Sequence, residues 1–250
     1  MQLHDCIHLV GSGSMGYGLS DPYDSHIFLI DGGSELALIE VGAGMDVGRI
    51  VENIVRSGFD PKDVRQLILT HCHVDHAGGL ARLSRALDRP MAVGSSITRR
   101  RLESADDVGV GLDVAKNAGY YPDDYVLEPH AVDIEVGSGD RIEVGSLSLE
   151  VIETPGHCDG HISLLLEAAD KRSLFAGDAV FFGGNILLQN VPDCRLDAQI
   201  DTLRRLRPLE IDALFPSHLT FSLENGQQHI ERANDALDRL LIPNQLVNAW

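Results

Sequence analysis

The chain has 250 residues, 44% of them hydrophobic and 5% aromatic, with a formal net charge of −18 and a sequence pI of about 4.8. Such a surface repels phosphate backbones, which excludes nucleic acid as the expected partner, and no apolar run approaches the ~20 residues of a membrane span. What remains is a soluble α/β protein, two small domains or one large unit, with enough apolar mass for a sizeable core.

From the N-terminus, Met1-Gln2-Leu3-His4-Asp5 has neither the basic nor the apolar region of a signal peptide. The four cysteines, Cys6, Cys72, Cys158 and Cys194, form no CxxC pair, which fits reduced thiols and a cytoplasmic setting. Residues 6–10 read as a strand. Residues 11–18 are glycine-rich like a phosphate-binding loop, but no Lys-Ser/Thr follows and no helix opens behind them, so they read as a flexible loop bordering a cleft. Strands at 26–30 and 36–41 are joined by the hairpin signal Asp31-Gly32-Gly33-Ser34. Residues 46–57 predict an amphipathic helix capped by Asp46, with an apolar stripe of Val47, Ile50, Val51, Ile54 and Val55 and a stop at Gly58.

Residues 67–69 predict a buried strand, and directly after it stands Thr70-His71-Cys72-His73-Val74-Asp75-His76-Ala77-Gly78-Gly79. Three histidines and a carboxylate fall at i, i+2, i+4 and i+5, a spacing that fits no single helical face. It predicts a tight loop, bent by Gly78-Gly79, with four ligand-type side chains turned into one cleft. Imidazole and carboxylate suit zinc, iron or manganese.

A helix over 79–87 and a strand at 90–93 follow. Residues 95–130 then interrupt the pattern with two helical stretches and the aromatic, acidic run Tyr120-Tyr121-Pro122-Asp123-Asp124-Tyr125. Inserts of this length with their own structure are often lids. Arg99-Arg100-Arg101 reads either as a solvated helix face balancing nearby acids or as a clamp for a substrate carboxylate. The tyrosines either line a pocket or anchor the insert. Strands return at 131–136, 141–144, 147–153, 161–166 and 173–176, and helices close the chain at 194–206 and 224–241.

One six-residue run cannot fill two coordination spheres, and three later strand ends offer partners. They are Thr154-Pro155-Gly156-His157, Phe175-Ala176-Gly177-Asp178 and Phe215-Pro216-Ser217-His218. In each, a short apolar strand ends in a Gly, Pro or Ser turn and then a His or Asp. No Gly-x-Ser-x-Gly nucleophile signature competes with them.

Taken together, His-x-His-x-Asp-His, Thr-Pro-Gly-His, Gly-Asp and a late His resemble the metallo-β-lactamase superfamily over roughly residues 4 to 240. The resemblance implies an α/β fold, a four-layer αββα sandwich in a single domain 1–250, with 95–130 as a helical cap over the active site. It implies two divalent metal ions, zinc first and iron or manganese otherwise. His71, His73 and His157 would hold one, Asp75, His76 and His218 the other, and Asp178 would bridge them. The implied reaction is hydrolysis of an ester, thioester or lactone of a small molecule by a hydroxide between the metals, with Asp75 also steering that hydroxide.

β-Lactamase members usually lack the bridging Asp, whereas glyoxalase II-type thioesterases and lactonases keep it, so Asp178 disfavours antibiotic hydrolysis. The acidic surface disfavours phosphodiesterase and nuclease activity. Mononuclear-iron persulfide dioxygenases resemble the chain at Thr-His-Cys-His-x-Asp-His and form the redox alternative. Glu40, near a position where the family often has Asp, and His161, four residues after His157, are expected to support the site without binding metal. His4, His8, His26, His130 and His229 read as structural or solvated, and Cys72 and Cys158 as small buried packing residues. The expected partners are a small-molecule substrate and at most a second copy of the chain in a homodimer.

Overall fold

The computed structural model describes residues 1–246, so the last four residues of the expected 1–250 domain lie outside the described residues. The chain divides into two compact units, Met1–Val136 with Val144–Ser146, and Gly137–Glu143 with Leu147 onward.

The first unit contains β1 (Gln2–His4), β2 (Ile7–Gly11), β3 (Ile27–Asp31), β4 (Leu36–Ile39), α1 (Val47–Arg56), β5 (Val64–Ile68), α2 (Val74–Ala77), α3 (Leu80–Ala86), β6 (Met91–Gly94), α4 (Ser96–Ser104), α5 (Leu112–Asn117) and β7 (Ile134–Glu135). Its seven strands pair in sequence order, antiparallel from β1 to β4 and parallel from β4 to β7. Strands in a parallel set end together, and the segment following each one emerges at the same edge. Glu40 follows β4 and the His-rich run follows β5 there.

Residues adjacent along β3 point to opposite faces of the sheet. Ile27, Phe28, Leu29 and Ile30 are all at most 1% exposed, so both faces are buried. On one face Ile27, Leu29, Leu38 and Leu67 pack with Ile50 and Ile54 of α1 and Leu80 and Leu83 of α3.

Helix α1 starts where the sequence predicts, with the Asp46 carboxylate accepting from the Arg49 amide at 3.1 Å. Val55 leaves the predicted stripe and is 56% exposed, because it falls roughly 90° around the helix from the centre of the buried face. The expected strand at 131–136 shortens to β7. The Ala92 amide there is taken by the Asp133 side chain at 2.8 Å, so the regular ladder begins only after it.

The second unit contains β8 (Arg141–Val144) up to Glu143, β9 (Leu147–Glu153), β10 (Ile162–Ala168), β11 (Lys171–Gly177), α6 (Leu196–Leu206), β12 (Ala213–Pro216) and α7 (Gln227–Asp238). The sheet order is β12-β11-β10-β9-β8. β10 runs antiparallel to both β9 and β11, and β12 is parallel to β11. Strands β9, β11 and β12 therefore run the same way and end at one edge of the sheet, where they deliver His157, Asp178 and His218. Leu203 and Leu206 of α6 and Ile230, Ala233 and Leu237 of α7 pack against Leu165, Leu174 and Leu214 of the sheet. No helix among the described residues is long and apolar enough to cross a membrane.

Candidate metal centre

In the first unit the His-rich run leaves β5 as a short loop, but Val74–Ala77 closes one turn of helix inside it. Gly78 and Gly79 do not bend the chain by an unusual backbone angle, since their φ values are −61° and −78°. They are glycine because of what approaches them. A Cβ on Gly78 would meet the Tyr125 hydroxyl at 2.5 Å, and one on Gly79 would meet the Val41 carbonyl at 2.5 Å. The loop is tied to the end of β4 by Val41 N to His76 O at 2.9 Å and Gly79 N to Gly42 O at 2.8 Å.

Glu40 holds these side chains together. It is fully buried, with φ at +68°, a backbone conformation uncommon outside glycine and found where surroundings enforce it. Its carboxylate accepts from the Thr70 hydroxyl and amide and from His76 Nδ1, the last at 3.1 Å. Thr70 Oγ1, with its proton committed to Glu40, accepts in turn from His71 Nδ1 at 2.9 Å. Both imidazoles thus carry their proton on the outer nitrogen and turn Nε2 inward. Glu40, His71 and His76 each bring a ligand-type atom within 4.8 Å of the others. The contacts of Glu40 go to the outer side of the imidazoles, which makes it a holder and not a ligand. His71 Nε2 lies 3.1 Å from His73 Nδ1, and His76 Nε2 lies 3.3 Å from Asp75 Oδ2. The Asp75 side chain is 24% exposed, against 1% for His76.

In the second unit Asp178 Oδ2 lies 3.6 Å from His157 Nε2 and 3.6 Å from His218 Nε2. All three residues are at most 4% exposed. His157 Nδ1 donates to the Leu187 carbonyl at 2.9 Å, which turns its Nε2 toward Asp178. His161 has a different job. Its Nε2 accepts from the Asp178 amide at 3.0 Å, so its proton is on Nδ1 and goes to Thr154 Oγ1 at 2.8 Å. Thr154 continues to Ser163 Oγ at 2.9 Å, and Ser163 donates to the Ala176 carbonyl at 3.2 Å. Both ring nitrogens of His161 are used in fixing the backbone at Asp178, which leaves no lone pair for a metal.

The donor chemistry fits a metal. An imidazole whose outer nitrogen donates presents a lone pair at the inner one. At His76 and at His157 that lone pair faces a carboxylate oxygen within 3.6 Å. Two acceptors facing each other call for positive charge between them. A divalent ion meets the requirement, and the outer contacts to carboxylate, hydroxyl and carbonyl are of the kind that orient histidine ligands.

The family model described as the metallo-beta-lactamase superfamily matches residues 20–218. The chain belongs to the metallo-β-lactamase superfamily. It is 31% identical over 207 residues to a probable metallo-hydrolase of Methanocaldococcus jannaschii, covering 81% of this chain and 89% of that one. It is 29% identical to a hydroxyacylglutathione hydrolase of Nitrobacter hamburgensis over 67% of this chain, and spans about half (51%) of that relative's length. Among solved structures it is similar to the subclass B3 metallo-beta-lactamase BJP-1 of Bradyrhizobium japonicum, with a TM-score of 0.72, 21% identity, and 96% and 91% of the two chains covered. A metallo-beta-lactamase family protein of Thermus thermophilus gives a TM-score of 0.71 at 22% identity, covering 95% and 81%. At these identities the structures establish the fold, two mixed sheets flanked by helices, as the sequence motifs imply.

Within this superfamily member, residues 95–130 pack onto the metal loop. Arg101 Nη1 donates to Cys72 Sγ at 3.3 Å, and Cys72 reaches the Gly109 carbonyl at 3.6 Å. A Cβ on Gly111 would stand 3.7 Å from the His73 ring. Cys72 is therefore more than packing between two histidines, since it receives the insert. All four cysteines are free thiols. Arg99 pairs with Glu103 at 2.8 Å and Glu135 at 3.0 Å, which is the solvated-face arrangement.

The tyrosines divide. Tyr125 anchors, donating to the Ala43 carbonyl at 2.8 Å. Tyr121 stacks on Tyr23 at 5.0 Å, and burial followed by the Asp75 charge raises its pKa. Tyr120 is 43% exposed.

Sequence reasoning missed Asp24, a 3% exposed carboxylate. It accepts from the Ala43 amide at 2.9 Å and the Asp21 amide at 3.1 Å. Burial pushes its pKa up to about 7. Asp24 stands in Asp21-Pro22-Tyr23-Asp24, a run with no motif or periodicity to signal that burial. Leu187 was missed as well, because a backbone carbonyl has no side-chain signature.

Proposed function

We propose that this metallo-hydrolase is a dinuclear enzyme that cleaves a carboxylic ester, thioester or lactone bond in a small molecule. The observation that carries the reading is the single Asp178 oxygen lying 3.6 Å from both His157 and His218. A carboxylate oxygen between two ligand-type imidazoles is suited to serve two cations at once. As the family resemblance implies, His71, His73 and His157 would form one ligand set, Asp75, His76 and His218 the other, and Asp178 would be common to both. When bound, two divalent ions, zinc first and iron or manganese otherwise, supply Lewis acidity and a hydroxide at neutral pH, the pKa of water falling from about 15.7 to about 7.

The chain's own residues do the rest. Glu40 and Thr70 hold the proton of His76 and His71 on the outer nitrogen, so the inner lone pairs stay available. The Leu187 carbonyl does the same for His157. Asp75 is the carboxylate of the set with solvent access, and accepts the hydrogen bond that orients the attacking water. The insert, packed on Cys72 and His73, caps the site and limits it to small substrates. Similarity to proteins named hydroxyacylglutathione hydrolase favours an acyl bond to sulfur or oxygen. The shared span of about half of such a relative's length leaves its glutathione specificity as one option among thioesters.

The test is a screen of lactones, thioesters, aryl esters, β-lactams and phosphodiesters on zinc-, iron- and manganese-loaded protein, with oxygen uptake measured alongside. Turnover of acyl esters, thioesters or lactones supports the proposal. One iron per chain with oxygen consumption on a persulfide replaces it with the dioxygenase reading.

A further inference from the structure

The segment that leaves Asp178 returns to hold another ligand of the same unit. It turns at Gly183 and Gly184, whose φ values of 83° and 79° favour glycine. A few residues on, the Leu187 carbonyl accepts from His157 Nδ1. On the near side the Gly183 amide donates to His229 Nδ1 at 3.0 Å. On the far side three contacts come from the stretch after α7. The Ile186 amide donates to the Asn244 carbonyl at 2.9 Å, and the Leu246 amide donates back to the Ile186 carbonyl at 2.8 Å. The Leu188 amide donates to Gln245 Oε1 at 3.0 Å. Ile186 and Leu187 are at most 5% exposed, so their backbone groups need partners within the protein.

The Leu188 N–H and the Leu187 C=O belong to one peptide group. That group is planar and trans, with the C=O and N–H bonds pointing in opposite directions. Fixing the N–H fixes the direction of the C=O. Gln245 Oε1 holds one end of this plate and His157 Nδ1 takes the other, so the glutamine acts on the imidazole through a rigid unit. Hydrogen bonds in such a chain also polarise one another.

We propose that Gln245 is a positioning residue for His157. Through the Leu187–Leu188 peptide it sets which His157 nitrogen carries the proton and where the other nitrogen aims. The proposal rests on the reading of His157 as a metal ligand.

Three variants test it: Gln245→Ala, which removes the acceptor; Gln245→Glu, which keeps an acceptor oxygen; and His157→Ala as the control for the ligand reading. Zinc affinity is measured by competition with a chromophoric chelator, and the His157 ring nitrogens of the metal-free protein are followed by NMR. Gln245→Ala should bind zinc about 10–100-fold more weakly, the usual scale for groups that orient metal ligands. Its His157 should lose the single Nδ1–H form. Gln245→Glu should stay within about threefold of the parent and keep that form.

If Gln245→Ala keeps parental affinity and an unchanged His157 signal, the proposal is overturned. Equal losses in Gln245→Ala and Gln245→Glu also overturn it, because they indicate packing and not the acceptor. A His157→Ala protein with full zinc affinity removes the ligand reading itself. That failure is distinct, because the His157 tautomer in Gln245→Ala is read without metal.

Discussion

The two units hold their ligand-type side chains by different means. In the first unit four of them lie in one six-residue run, and side chains from the adjoining strand ends hold them: Glu40 and Thr70 fix His71 and His76. In the second unit they come one each from the ends of β9, β11 and β12, and backbone groups do much of the holding. His157 is oriented by the Leu187 carbonyl, and Asp178 is fixed through its own amide by His161. A half held by one buried carboxylate should lose two imidazoles together when that carboxylate changes. A half held through backbone should respond to changes in the segments that shape the loop.

The largest effect is expected at Asp178. Asp178→Ala should empty one metal position and lower kcat/KM by several orders of magnitude, measured by elemental analysis and steady-state kinetics. A variant with two metals and most of its activity would end the claim that this carboxylate is shared. In the other unit Glu40→Gln should weaken metal binding by about 100-fold, the upper end of the range for groups behind the ligands, because it touches both His76 and the Thr70–His71 pair. Chelator competition reads this, and a loss confined to one metal position would contradict the shared-holder account.

His161→Ala should cost about 10-fold in metal affinity, because it frees a backbone amide and no ligand atom. Emptying of a whole metal position by His161→Ala would instead make His161 a ligand.

Asp24 acts on stability and binds no ligand-type side chain. Its pKa is raised in the folded protein to about 7 from an ordinary 3.8, so the native state holds a proton that the unfolded chain releases. Its contribution to stability should fall as pH rises from about 4 to about 7 and stay level above that, by up to about 4 kcal/mol. Denaturant titrations of the parent and Asp24→Asn across this range should therefore diverge in favour of the variant as pH rises. Parallel curves would contradict the buried-carboxylate assignment. The smallest effect is expected at Arg99, paired on the surface with Glu103 and Glu135. Arg99→Ala should change KM for anionic and neutral esters by less than about twofold, and a selective rise for the anionic ester would restore the clamp reading.

The ligand-type residues were legible because they are side chains of unusual chemistry at strand ends, announced by Gly, Pro and apolar runs. The same punctuation marks the parallel strands of the first unit and most of β9 to β12. What approaches a residue from a distance was not legible. Gly78-Gly79 reads as a bend, yet its backbone angles are ordinary and its glycines make room for Val41 and Tyr125. Asp24 looks like any turn carboxylate, and Leu187 acts through a carbonyl that every residue has. The run Tyr120-Tyr121-Pro122-Asp123-Asp124-Tyr125 left two roles open. Tyr125 takes the anchoring one through the Ala43 carbonyl, 82 residues away in sequence.

The proposed function stands on two metals per chain, with Asp178 common to them. The most direct measurement is an anomalous difference map from zinc-loaded crystals, collected on either side of the zinc edge. Two peaks per chain are expected, one coordinated by His71, His73 and His157 and one by Asp75, His76 and His218, with Asp178 touching both. A single peak, or two peaks of which Asp178 touches only one, would contradict the dinuclear reading.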